Sequence, residues 1–236
     1  MRNELNNRKV VIIAHRGAKR LAPENTLKAF KKAIELNADY VEFDTRLSKD
    51  REIVLMHDAT TLRTTGHIGR VKKMTLDDLK KLNCGEKEKI PTLLELIELA
   101  KEKIGLWLEI KTKGQTEKVV RIIKENRLVD SIIVSSFHHR ELLRIQKLEP
   151  KIKLSALVFG IKKNKTINEA MENKFYAIQS FHRFINMRFI NIVHDNNIKV
   201  LAWNVSSKAK MRRLIDWGVD GLDTNDIKAS KELLNR

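Results

Sequence analysis

The sequence predicts an α/β protein: a closed (β/α)8 barrel, the TIM-barrel architecture, with a small insertion after strand two. Short apolar runs alternate with longer amphipathic segments, and about eight such pairs fit into the 236 residues, a usual length for this barrel. No glycine-rich phosphate loop follows the first run, which disfavours the alternative, an open doubly wound sheet. With no internal repeat and no linker, residues 1–236 are expected to form one domain.

Eight short runs are predicted as strands because most are rich in β-branched or aromatic residues. In chain order they are Val10–Ala14, Tyr40–Phe43, Gly105–Ile110, Ser131–Val134, Leu154–Val158, Phe175–Ile178, Val200–Trp203 and Val219–Leu222.

Apolar residues at helical spacing predict the helices between these strands. In the first helix, Leu27, Phe30 and Ile34 share one face, and Thr92 is a plausible N-cap for the second. The predicted helices are Thr26–Asn37, Leu93–Lys103, Gln115–Asn126, His139–Leu148, Thr166–Asn173, Asn186–Asn196, Lys208–Trp217 and Asp226–Leu234.

The stretch from about residue 51 to 90 breaks the alternation. It holds a strand-like segment at Glu52–Met56, a polar loop and a short helix near Leu76–Leu82. Because it is too long for a simple strand–helix connection, we interpret it as an insertion over the barrel mouth.

The chain is strongly basic, with 47 Lys and Arg against 30 Asp and Glu, a net charge of +17. The basic residues are spread along the chain and form no stripe with aromatic residues, so a solvated surface is favoured over nucleic-acid binding. The single cysteine, Cys84, excludes an intramolecular disulfide and a multi-cysteine zinc site. The first ten residues lack the apolar core of a signal peptide, and we expect a cytoplasmic protein.

Charged side chains gather at the predicted carboxyl ends of the strands, where barrels carry their chemistry. Any one of them alone would be an ordinary surface residue. Glu42 and Asp44 are two residues apart on one strand and therefore share a face. The set comprises His15, Arg16, Glu42, Asp44, His57, Glu109 and Lys111.

This combination predicts metal-assisted cleavage of a phosphoester. Three inward carboxylates would repel one another, and a divalent cation, Mg²⁺ or Ca²⁺, would relieve that repulsion. Arg16 and Lys111 suit a phosphate group. The two histidines suit proton transfer, since their ordinary pKa lies near 6.5.

The same residues resemble the glycerophosphodiester phosphodiesterase family. The resemblance covers nearly the whole chain, and its motifs are specific in combination. They are HRG at His15–Gly17, PENT at Pro23–Thr26, EFD at Glu42–Asp44, MHD at Met56–Asp58, RTTG at Arg63–Gly66, IPTL at Ile90–Leu93, LEIK at Leu108–Lys111, SSF at Ser135–Phe137, WN at Trp203–Asn204 and GVDG at Gly218–Gly221.

The resemblance implies a TIM barrel that hydrolyses glycerophosphodiesters to sn-glycerol 3-phosphate and an alcohol. It implies that His15 and His57 are the acid/base pair. It also implies metal ligands at Glu42, Asp44 and Glu109, phosphate contacts at Arg16 and Lys111, an alcohol site at Phe137 and Trp203, and a bracing role for Glu24 and Asn25.

Two departures from the family pattern stand out. Thr61-Leu62 replaces the usual Leu-Asp of the loop after HD, and Asp223 stands where the family has an apolar residue. For Asp223 we expect a side chain that faces solvent or is hydrogen-bonded, in preference to one that faces the pocket.

Two alternative functions stay open at this point. One is lysophospholipase D-type cleavage of lysophospholipids, which the polar loop Thr60–Lys89 disfavours. The other is a non-catalytic, nucleic-acid-binding barrel, which the intact set of charged residues disfavours. The sequence leaves undecided which histidine is the acid, whether water or the glycerol 2-hydroxyl attacks, which ion binds, and the oligomeric state.

Overall fold

The computed structural model describes residues 10–160 and 163–236, and its centre is a barrel of parallel strands. The strands are β1 Val11–Ala14, β2 Tyr40–Leu47, β3 Ile53–Leu55, β4 Gly105–Ile110, β5 Ile132–Ser136, β6 Lys153–Val158, β7 Ala177–Phe181, β8 Lys199–Val205 and β9 Gly221–Thr224. The helices are α1 Leu27–Glu35, α2 Leu62–Thr65, α3 Leu76–Lys81, α4 Leu93–Ala100, α5 Thr116–Glu125, α6 His139–Leu148, α7 Lys163–Glu172, α8 Met187–His194, α9 Lys208–Asp216 and α10 Ile227–Leu233.

The first and last strands close the barrel. β1 pairs in parallel with β9, with Val11 opposite Gly221, and in parallel with β2, with Ile13 opposite Tyr40. All the other neighbouring barrel strands are parallel as well. β3 alone lies outside the ring and pairs antiparallel with β2. The predicted barrel is therefore confirmed.

A compact plug fills the barrel below its mouth. It joins residues of five strands that do not all neighbour one another: Ile13, Trp107, Ile133, Ala177 and Leu201. The indole Nε1 of Trp107 donates a hydrogen bond of 2.9 Å to Gln179 Oε1, which also accepts from Ser155 Oγ at 3.2 Å. Because its buried polar atoms are paired, the plug forms a firm floor for the pocket.

The insertion has a small core of its own. Its buried apolar residues are Val54, Met56, Val71, Leu79, Cys84 and Ile90. Burial raises the pKa of the Cys84 thiol to about 11, so this cysteine is an inert filler. The core holds the loop that carries His57 against the barrel edge.

Helix α4 follows the insertion and returns the chain to the barrel wall. The hydroxyl of Thr92 accepts from the Glu95 amide, while the Glu95 carboxylate accepts from the Thr92 amide, so the predicted N-cap is a capping box. Helix α2 escaped prediction because four residues show no period.

Several predicted strands end too early. The predicted strand Phe175–Ile178 is observed at Ala177–Phe181, and Ser131–Val134 extends to Ser136. The missed residues are polar side chains such as Ser135 and Gln179, which are buried inside the barrel. A search for apolar periodicity does not identify buried polar residues as part of a strand.

Within residues 10–160 and 163–236, none of the helices has the length and hydrophobicity to span a membrane. The first nine residues, on which the expectation about a signal peptide depends, lie outside the described part. The cytoplasmic location stays a prediction.

Adjacent leucines on α4 test how the helix packs. Leu93 is 0% exposed in the main core, whereas Leu94 is 51% exposed. We expect Leu93→Ala to lower the free energy of unfolding by about 2–5 kcal/mol, because it leaves a cavity. Leu94→Ala should change it by less than about 0.5 kcal/mol. Urea denaturation followed by circular dichroism measures both, and equal losses would contradict the packing.

Candidate active site

The predicted site residues meet at one end of the barrel, on its strands or in the loops that follow them. His15, Glu42, Asp44 and Glu109 are all buried there. One carboxylate oxygen from each of Glu42, Asp44 and Glu109 lies within 4.8 Å of the other two. A buried set of carboxylate oxygens fits a hard divalent cation, so these three residues could hold one.

The turn after β1 brings the backbone close to this cluster. Arg16 has a φ of 55°, and its amide donates a hydrogen bond of 2.8 Å to Glu42 Oε2. Gly17 follows at φ 77°, and a Cβ there would lie 2.8 Å from Ala29. The glycine is therefore needed both for its backbone angle and for the close approach of α1.

The three carboxyl groups differ in their electrostatics. Burial, together with the nearby Asp44 carboxylate, raises the pKa of Glu42 well above its usual value and that of Glu109 to about 7. Burial would also raise the pKa of Asp44, but the Lys111 and Arg16 cations outweigh it and hold this pKa well below its usual range. The cluster therefore has more carboxyl groups than its own cations can keep ionised, as expected of a metal site.

The two predicted phosphate contacts are held by carboxylates. Lys111 Nζ lies 3.1 Å from Asp44 Oδ1 and 2.6 Å from Glu109 Oε1. Arg16 Nη1 lies 2.9 Å from Glu24 Oε1, and its Nε lies 3.3 Å from Asp44 Oδ2. Two positive charges are thus fixed beside the carboxylates at the mouth.

The PENT segment braces this arrangement from the loop before α1. Asn25 Nδ2 donates a hydrogen bond of 2.8 Å to Asp44 Oδ2, and Asn25 Oδ1 accepts from the Asp44 amide at 3.3 Å. Glu24 accepts from Arg16 and from Arg63, at 2.9 and 2.6 Å. Both side chains restrict the groups that would contact metal and phosphate.

The two histidines have different partners. His15 Nδ1 lies 2.9 Å from Asn225 Oδ1, and burial, aided by the Arg16 charge, lowers the pKa of His15 to about 3. His57 is half-buried; its Nδ1 lies 2.6 Å from Asp58 Oδ1, and burial lowers its pKa. Each Nδ1 is engaged, so Nε2 is the ring nitrogen left for chemistry.

Aromatic side chains form a wall at the mouth, beside Lys111. The rings of Phe137 and Trp203 meet edge to face with centroids 5.6 Å apart, and Phe159 and Phe181 extend the wall from Trp203. The wall adjoins a groove of about 1130 Å³ that passes Phe137 and Phe184. Sequence reasoning missed Phe159, Phe181 and Phe184, because they lie at the end of β7 and in the segments after β6 and β7, where no motif marks them.

The expectation for Asp223 is wrong. Its side chain is only 4% exposed, and a carboxylate oxygen lies within 4.8 Å of ligand atoms of His15 and Glu42, facing the pocket. The reason is register: Asp223 lies opposite Ile13 of β1, and Ile13 points into the barrel plug.

The other departure lies in the loop of the insertion. Thr61 is buried and donates a hydrogen bond of 2.6 Å to the His67 carbonyl, while Leu62 beside it is exposed. This hydroxyl closes the loop and contacts none of the predicted ligands.

Comparisons with known proteins agree with this geometry. Residues 15–229 match the model of the Glycerophosphoryl diester phosphodiesterase family. A glycerophosphodiester phosphodiesterase of Caldanaerobacter subterraneus subsp. tengcongensis is 38% identical over 97% of this chain and 99% of its own. The structure of a phosphodiesterase from Oleispira antarctica, in complex with the product sn-glycerol-3-phosphate, is similar with a TM-score of 0.87 and 27% identity, covering 96% of this chain and 97% of that one.

The structure of a protein from Silicibacter pomeroyi is similar with a TM-score of 0.90 at 20% identity. It covers 97% of this chain and 94% of its own length. At this identity the likeness concerns the fold.

The low pKa of His15 predicts a pH dependence of stability. Between pH 6.5 and about pH 3 the unfolded chain binds a proton on His15 that the folded chain does not. The free energy of unfolding should therefore decrease as the pH falls through this range, by up to about 1.4 kcal/mol per pH unit for this group.

In His15→Gln this contribution is removed, and the slope against pH should become shallower. Urea unfolding at pH 6.5, 5.5 and 4.5 measures it. His67→Gln, at an exposed position of the insertion, is the control and should keep the wild-type slope. An unchanged slope in His15→Gln would contradict the burial of a neutral imidazole.

Proposed function

The chain belongs to the glycerophosphoryl diester phosphodiesterase family, and we propose that it hydrolyses glycerophosphodiesters to sn-glycerol 3-phosphate and an alcohol. The observation that carries the proposal is the meeting of three carboxylates, two histidines and two cations at one buried mouth. The Oleispira antarctica relative, which holds sn-glycerol-3-phosphate, supports the product. We further propose that residues 1–236 act as one domain.

Glu42, Asp44 and Glu109 are the proposed ligands of the divalent cation, Mg²⁺ or Ca²⁺. Their all-oxygen donor set suits either ion. When bound, the cation would offset negative charge on the phosphoryl group. Asn25 keeps Asp44 in place through two hydrogen bonds.

Arg16 and Lys111 are the proposed contacts for the phosphate. A phosphodiester carries one negative charge, and more charge develops on its oxygens as the bond breaks. The planar guanidinium of Arg16 offers two parallel N–H donors, whereas Lys111 offers a point charge. Glu24, with two arginine partners, fixes the orientation of Arg16.

The partners of the histidines support one assignment of roles. His15 is buried and neutral, with an uncharged amide on Nδ1, and so suits the base that takes a proton from the attacking oxygen. His57 has the Asp58 carboxylate on Nδ1, which favours the imidazolium form and acts against the burial that lowers the pKa of His57. His57 therefore suits the acid that protonates the leaving alkoxide.

Phe137 and Trp203 are the proposed lining of the alcohol end. The aromatic wall also favours a second candidate, cleavage of lysophospholipids, because Phe159 is 58% exposed beside a groove that an acyl chain could follow. The described lining of this groove includes no residue of the insertion.

A substrate panel tests the function and the metal together. We expect hydrolysis of glycerophosphocholine with Mg²⁺ or Ca²⁺, and a loss of at least about 100-fold after chelation that either ion restores. Lysophosphatidylcholine in the same assay tests the second candidate. Full activity in chelated enzyme would reject the metal, and no turnover of any glycerophosphodiester would reject the function.

Substitution of the histidines tests proton transfer. His15→Ala and His57→Ala should each lower kcat by about 10²–10⁴-fold. His57→Ala should keep a melting temperature near that of the wild type, since the side chain is half-buried at the mouth. His67→Ala is the matched control. Wild-type turnover in either site variant would remove that residue from the mechanism.

A further inference from the structure

Asp223 adds a fourth buried carboxylate to the pocket, outside the three proposed metal ligands. Asp223 is only 4% exposed, and among the described residues its Oδ1 has no hydrogen-bond partner. Lys111 and Arg16 make their ion pairs with Asp44, Glu109 and Glu24 instead. A buried carboxylate oxygen without a partner calls for a cation.

The surroundings of Asp223 supply the other donors for one. A ring nitrogen of His15, an oxygen of Glu42 and an oxygen of Asp223 all lie within 4.8 Å of one another. Two donors bound to one zinc ion, each about 2.1 Å from it, are at most about 4.2 Å apart. Small side-chain movements therefore bring the three onto one ion.

The donor types distinguish this set from the neighbouring one. Imidazole nitrogen with two carboxylates suits Zn²⁺, whereas the purely carboxylate set suits Mg²⁺ or Ca²⁺. Asn225 Oδ1, at 2.9 Å from Nδ1 of His15, can only accept a hydrogen bond, and the donor Asn204 Nδ2 is farther away, at 3.5 Å. We therefore assign the proton to Nδ1, which leaves the lone pair on Nε2. A hydrogen bond of this kind on the second ring nitrogen is a usual feature of metal-binding histidines.

Glu42 belongs to both sets, because it lies within 4.8 Å of Asp44 and Glu109 as well as of His15 and Asp223. A carboxylate shared between two cations is a recurrent arrangement in two-metal sites, where the ions are about 3.5–4 Å apart. The two sets are therefore neighbours that share one carboxylate.

We propose that His15, Glu42 and Asp223 form a zinc site that inhibits the enzyme when it is filled. The inhibitory part rests on the proposed function, in which the His15 lone pair accepts a proton. Zinc occupies that lone pair, and hydrolysis stops. The site exists in this chain because position 223 is an aspartate.

Zinc counting tests the site without reference to activity. Wild type, Asp223→Asn and Asp223→Leu are dialysed against buffered Zn²⁺, and bound zinc is measured by mass spectrometry. We expect both variants to bind one zinc ion fewer per chain than the wild type. Glu169→Gln is the matched control: it removes the α7 carboxylate that lies 2.8 Å from His139 Nδ1, away from the proposed site, and should keep the wild-type count.

Circular dichroism and the melting temperature establish that each variant is folded. If one of the two Asp223 variants does not fold, the other, which differs from it in polarity, still tests the site. Equal zinc counts in the wild type and in a folded Asp223 variant would overturn the site.

Inhibition is measured separately, with saturating Mg²⁺ and each protein compared with its own zinc-free rate. Zinc should inhibit the wild type at a concentration at least 10-fold lower than it inhibits Asp223→Asn. Equal inhibition would overturn the regulatory role. If the wild type hydrolyses no glycerophosphodiester, the proposed function fails, while the zinc counts still decide whether the site exists.

Discussion

The crowding of carboxylates at the barrel mouth is the constraint on which the rest of the site depends. Four carboxylates are buried there: Glu42, Asp44, Glu109 and Asp223. Glu42 lies within 4.8 Å of each of the other three. Arg16 and Lys111 form ion pairs with Asp44 and Glu109, and the charge of Lys19 acts on Glu42 and Asp223. Like charges at this spacing, away from water, destabilise a fold unless cations or protons compensate them. Each polar contact around the mouth can be understood as part of that compensation.

The scaffold tolerates this charge because everything beneath it is rigid. The plug below the pocket pairs its polar atoms through Trp107, Gln179 and Ser155. Above it, the left-handed turn at Arg16 and Gly17 directs a backbone amide at Glu42. The site thus combines a densely packed floor, whose Trp107, Gln179 and Ser155 are hydrogen-bonded, with a mouth built from strained and charged groups. A bound cation can therefore offset the negative charge at the mouth without rearranging the floor.

Most of the fold was predictable because apolar periodicity marks every barrel strand and its helix. The misplaced ends are the polar residues that point inward, such as Ser135 and Gln179, since a buried polar residue looks like a loop residue in sequence. The positions of the charged site residues followed from strand ends and motifs. Asp223 was misjudged because its orientation depends on the register with β1. Of the aromatic wall, Phe137 and Trp203 were predicted, whereas Phe159 and Phe181 were missed because no motif marks them.

One contact joins the two ends of the chain at the centre of the site. His15 lies at the end of the first strand, and its partner Asn225 follows the last strand, 210 residues later. β1 also depends on β9 for one of its two neighbours. The ribosome must therefore synthesise the chain as far as Asn225 before His15 acquires this hydrogen bond and the barrel closes. Until β9 is made, β1 has only β2 as a neighbour, and the edge that later pairs with β9 is exposed.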